Sequence, residues 1–134
     1  MGAEDNIKTT QMIYEAFGRG DVGAILDQLT DDIDFAVEPH GTAPWEGLRK
    51  GKAEVADFFA KLGANVEVTE FTPLSFTSND TDVMVVIRYA VRAPATGKSA
   101  SMDLHHWWRF RDGKVCFVRG TEDTALTREL LTAS

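Results

Sequence analysis

Four side chains in this sequence combine proton chemistry with an apolar setting: Tyr14, Glu38, His106 and Asp123. His106 lies in a run where Met102, Leu104, Trp108 and Phe110 alternate with Asp103, His105, Trp107, Arg109 and Arg111, so a strand there puts it with the apolar set. An imidazole among aromatics is either a hydrogen-bonded core group or a group that faces a ligand. His105 points the opposite way, so the pair cannot ligate one metal, and no metal site is expected.

Glu38 follows Ile33, Phe35 and Val37, and strict alternation turns it outward unless a bulge intervenes. If it faces out, His40 is the next polar group able to enter the mouth of a cavity. Asp123 ends an apolar run and either works on a ligand or caps the helix that follows. Tyr14 is spaced for packing with Phe17, and its hydroxyl needs only one partner. Together with Phe17, Phe35, Trp45, Phe59, Leu104 and Trp108 these groups describe an apolar, aromatic wall with few polar groups, which suits a small hydrophobic molecule.

The elements that must position these residues follow from periodicity. Ile7, Gln11, Tyr14 and Phe17 recur at three- and four-residue steps, predicting a helix over about residues 5–18. Asp21 can cap a short second helix with Val22, Ile25, Leu26 and Leu29 on one face. Alternation over Ile33–Val37 reads as a strand, and the turn-rich stretch from Pro39 to Gly47 as a loop. A third helix carries Val55, Phe58, Phe59 and Leu62 and stops near Gly63. The period then changes to two, giving strands at about 66–76, 82–92, 99–111 and 114–122. Turn signals at Asn79-Asp80, Pro94 to Gly97 and Asp112-Gly113 make the sheet largely antiparallel. A last helix spans about 124–131. Helices first and a meander second is the α+β pattern.

Composition sets the remaining bounds. With 134 residues the chain fits one domain, and a net charge of −7 repels phosphate backbones and anionic lipid surfaces, so neither nucleic acid nor membrane is an expected partner. No stretch approaches the roughly 20 apolar residues of a membrane span, and the polar start from Met1 to Thr10 makes a cytoplasmic address the expectation. Asn6 stands where an acylated Gly2 would need Ser or Thr. The single cysteine, Cys116, sits among apolar residues and is expected as a buried, inert thiol. Gly18, Gly20 and Gly23 match the dinucleotide glycine spacing but follow a helix, where that motif has no function. Trp107, flanked by His105 and Arg109 on the outer sheet face, is too large to stay wet and suggests a homodimer interface there.

Tyr14-Glu15-Ala16-Phe17 with Gly20-Asp21, Asp31-Asp32, Trp45-Glu46-Gly47 with Gly51, Phe58-Phe59, Thr96-Gly97-Lys98, the run from His106 to Lys114, and Asp123-Thr124 fall in a recognisable order. Over about residues 5–130 the chain thereby resembles the SnoaL-like branch of the nuclear transport factor 2-like superfamily. The resemblance implies one domain over 1–134, folded as a cone-shaped α+β barrel with N-terminal helices on a curved, mostly antiparallel sheet, and usually a homodimer. Its members include polyketide cyclases, ketosteroid isomerases, dehydratases and epoxide hydrolases, mostly working without metal or organic cofactor by placing acids, Tyr or His in an apolar cavity, as in the known ketosteroid isomerase scheme. By position Glu38 resembles the isomerases' general base, Tyr14 their first-helix tyrosine, and His106 their acidic oxyanion donor, here replaced by histidine. Asp123 resembles the proton-transferring acid of the cyclases. The expected function is thus a pocket for a small hydrophobic molecule with cofactor-free acid–base chemistry of isomerase, cyclase or dehydratase type. A non-catalytic carrier or dimerising scaffold is the alternative, and epoxide or ester hydrolysis a third reading.

Overall fold

The computed structural model describes residues 2–133, so Met1 and Ser134, the ends of the expected domain, lie outside the described residues. Helix α1 (Ala3–Gly18) buries Ile13, Tyr14 and Ala16 on one face. Asp21 Oδ1 accepts the Ala24 amide at 3.0 Å and starts α2 (Val22–Leu26). Leu29, expected on that helix, instead opens β1 (Leu29–Val37), because it pairs with Val115 and the Val115 amide bonds the Gln28 carbonyl.

A four-residue strand β2 (Gly47–Lys50), to which the sequence assigns no element, follows the expected loop and pairs antiparallel with β1. Four residues are too few for alternation to register. Helix α3 (Gly51–Asn65) runs two residues past Gly63. Four long strands follow: β3 (Glu67–Ser78), β4 (Asp82–Ala93), β5 (Lys98–Arg111) and β6 (Lys114–Thr121). Both Asp112 and Gly113 have positive φ, 51° and 80°, so the β5–β6 hairpin closes on the mirror-image turn that suits strand twist. Helix α4 (Thr124–Leu131) is the last element among the described residues.

The six strands form one sheet in the order β2-β1-β6-β5-β4-β3. All neighbours are antiparallel except β1 and β6, which run parallel. This pairing sets the first strand beside the last. It lines up Val37, Gly120, His106, Val85 and Phe76 in one cross-strand row on the inner face. Helices α1 and α3 cover that face, and a single apolar core from Ile13 to Leu130 fills the space between. Among the described residues no helix is long and apolar enough to cross a membrane.

Candidate active site

The core is not filled. Between the sheet's inner face and the helices lies a cavity of about 80 Å³ whose wall includes Tyr14, Phe17, Phe35, Trp45, Phe59, Leu104, His106 and Trp108. That volume is well below the roughly 300–1,000 Å³ of drug-sized ligand pockets, so its occupant is small, on the scale of a single ring. Phe17, Phe59 and Phe71 are only half-buried, and the Phe17 ring centroid lies 6.0 Å from that of Phe59 and 5.0 Å from that of Phe71, which makes the rim of the cavity aromatic.

One polar group in this wall is a chain of three side chains. The Trp108 indole N–H donates to Tyr14 Oη at 3.0 Å, and Tyr14 Oη lies 2.8 Å from His106 Nδ1. Burial pushes the Tyr14 phenol above its ordinary range, so it keeps its proton. With an indole already donating to it, the phenol satisfies its own O–H by donating to Nδ1. That assigns the neutral His106 tautomer with the proton on Nε2. Burial, and secondarily the charge of His105, pushes His106 down to about 4, so the ring is uncharged near neutral pH. Gly120 leaves room for it: a Cβ there would sit 3.2 Å from His106 Cδ2 and 3.3 Å from Val37 Cγ2. The result is a neutral N–H donor held rigidly in an apolar wall.

The second polar group was not singled out in the sequence. Glu122, just past β6, lines the cavity and accepts the Trp45 Nε1–H at 2.8 Å. Burial, then a hydrogen bond with Glu46, pushes its carboxyl up to about 8, against the opposing bond from Trp45. Tyr89, also in the wall, has its phenol raised first by burial and then by Glu122. Trp45 is held in turn by Arg49, which bonds the Trp45 carbonyl at 3.4 Å, the Glu54 carbonyl at 3.0 Å and Asp57 at 2.7 Å. The signal for Glu122 was present: from Val118 through Gly120 the alternation carries it inward. Glu46 and Arg49, in or next to a turn-rich loop, gave none.

Three sequence candidates lie elsewhere. Glu38 does not enter the cavity. The chain turns at Glu38 with φ 46°, a strained value for a residue with a Cβ, and its Oε2 accepts the Glu122 amide at 2.6 Å. His40 is exposed beside it and borders a separate hollow. Asp123 is exposed and caps α4, its Oδ1 accepting the Leu126 amide at 3.0 Å. Alternation explains this: Glu122 takes the inward position and its neighbour must point away. Cys116, expected as a buried, inert thiol, is instead half-buried, with Sγ 3.6 Å from the Arg109 carbonyl. Among the described residues no group of three or more His, Cys, Asp or Glu side chains is placed to hold a metal ion.

The chain belongs to the SnoaL-like domain family, whose sequence profile matches residues 10–118. No curated protein matches it significantly in sequence. Solved structures do. A nuclear transport factor 2-like protein of unknown function from Burkholderia pseudomallei K96243 is 30% identical, with a TM-score of 0.88, over 96% of this chain and 98% of that one. A nuclear transport factor 2-like protein from Burkholderia xenovorans LB400 is 25% identical, with a TM-score of 0.88, over 98% and 99%. TerC, co-crystallized with polyporic acid, is 26% identical, with a TM-score of 0.85, over 95% and 98%.

Proposed function

We propose that this SnoaL-like protein is an acid–base enzyme acting on a small apolar molecule, of single-ring size, that carries a carbonyl or hydroxyl. The observation that carries the reading is the pairing, within one apolar cavity, of an uncharged His106 donor with a carboxyl, Glu122, raised to about 8. Two titratable groups pushed apart from their usual values in opposite senses are what proton transfer near neutral pH needs. His106 Nε2–H stabilises negative charge on the substrate oxygen. Glu122 gives a proton to one atom of the substrate and recovers one from another. In isomerisation only that proton moves; in cyclisation the two transfers accompany closure of a ring bond, and in dehydration the proton given leaves with the substrate hydroxyl as water. Co-crystallization of the relative TerC with polyporic acid agrees with an organic ligand.

The test is deuterium exchange. Cyclic enones and phenolic ketones are incubated with the protein in heavy water and followed by mass spectrometry. Wash-in at the carbon next to the carbonyl, lost in Glu122→Gln, supports the reading. Binding without exchange would turn it into a carrier.

We also propose a homodimer through the outer sheet face. Leu48, Ala36, Arg119, Trp107 and Met84 form one cross-strand row there. Leu48 is 58% and Met84 48% exposed, while the Trp107 indole N–H donates to Asp82 at 2.6 Å. A row that is apolar but for Arg119, on an outer sheet face, fits an interface between two copies.

A further inference from the structure

Glu46 stands between two enclosures. The inner cavity is lined by Glu122 and not by Glu46. A second hollow of about 380 Å³, between the loop after β1 and α4, is lined by Glu46, Glu38, His40 and Arg128 and not by Glu122. The Glu46 carboxyl lies in the wall of the hollow and against the Glu122 carboxyl, which lines the cavity. Its Oε1 accepts the Ala43 amide at 2.9 Å, and its Oε2 is buried with no donor among the described residues. A buried carboxylate oxygen without a donor is costly. Its neighbour is the Glu122 carboxyl, and a proton held between the two removes that cost.

We propose that Glu46 and Glu122 share one proton, and that Glu46 passes protons between the cavity and the outer hollow. This rests on the reading of Glu122 as the proton-moving group. When the Glu122 O–H bond breaks toward a ligand and no proton has yet returned from it, the proton is replaced through Glu46, which takes one from a hydronium ion or buffer acid in the hollow. The pair returns to one proton and one negative charge, and no other bond changes. The acid that faces the ligand is thereby recharged from behind, while the ligand still fills the cavity. Gly41 keeps the relay open, because a side chain there would run into Glu46 Oε1. The other titratable groups around the pair are Glu38 from the same loop, Tyr89 from β4, and His40 and Arg128 across the hollow.

The test needs no substrate. Protein grown with fluorotryptophan reports on Glu122 through Trp45, whose fluorine NMR signal is assigned by Trp45→Phe. In the unchanged protein the signal should titrate with a midpoint near 8 and remain a single averaged line. In Glu46→Gln the midpoint should fall by one pH unit or more, and the line should broaden as proton exchange slows at least tenfold. Gln keeps an oxygen for the Ala43 amide, so the loop retains its bond. Thr124→Trp, at an exposed position on the rim of the hollow, should slow exchange without moving the midpoint. An unmoved midpoint in Glu46→Gln overturns proton sharing, and unchanged exchange in both variants overturns the relay. Neither result bears on deuterium wash-in to a ligand, so the relay and the acid–base reading fail separately.

Discussion

The Tyr14 hydroxyl lies 2.8 Å from His106 Nδ1, although the two residues are 92 positions apart in the chain. This bond joins the first helix to the middle of the sheet and fixes which face of the imidazole carries a proton. It also orders the consequences of removing the phenol.

Tyr14→Phe leaves the Trp108 N–H without its acceptor and frees the His106 tautomer. Losing a buried partner costs about 1–3 kcal/mol, so a urea melt should show that loss. Nitrogen NMR of the imidazole should show the proton shared between Nδ1 and Nε2, where the unchanged protein shows Nε2–H alone.

Glu122→Gln should affect stability with a defined sign. The folded carboxyl is raised to about 8, so between the ordinary glutamate range and pH 8 the unfolded chain releases a proton that the folded one keeps. Stability therefore falls as pH rises through that window and levels off above it. The variant lacks this term, so its melting point should exceed that of the unchanged protein at pH 8 by about 3 °C or more, the effect of roughly 1 kcal/mol in a domain of this size. The difference should close near pH 5. Any turnover should drop by about 10²–10⁴-fold, the usual contribution of a general acid or base.

His106 acts in the opposite direction. Its folded value is depressed to about 4, so between the ordinary histidine range and pH 4 the unfolded chain takes up a proton that the folded one refuses. Stability is present above that window and is lost as pH falls through it. His106→Gln should flatten the melting-point curve between pH 6.5 and 4.

Gly41→Ala brings a methyl group against Glu46 Oε1 and against Glu38 Cβ, the latter at 3.0 Å. Glu46 must move, so the Glu122 titration should shift toward the ordinary carboxyl range. Because the loop is exposed and can adjust, the stability loss should stay below about 2 kcal/mol.

Met84→Glu tests the outer face. Sedimentation should show a dimer that dissociates in the variant, while the cavity, on the other side of the sheet, keeps the titrations of Glu122 and His106. A monomer before substitution would remove the dimer reading.

The sequence by itself determined the parts that depend on local period. Alternation in residues 102–110 put His106, Leu104 and Trp108 inward and His105 outward, and helical spacing put Tyr14 and Phe17 on the buried face of α1. The turn at Asp112-Gly113 was legible because its residue types tolerate positive φ. The tertiary structure decided what local pattern cannot carry. The parallel pairing of β1 with β6 joins strands about 80 residues apart, and no spacing rule encodes which edge a first strand will take. That pairing turned Glu38 away at a strained φ and bound it to the Glu122 amide. The choice of Glu122 over Asp123 came down to one residue of register, since adjacent side chains on a strand face opposite sides. Proximity of Glu46 to Glu122, and with it the raised carboxyl, exists only once the loop after β1 folds over the end of β6.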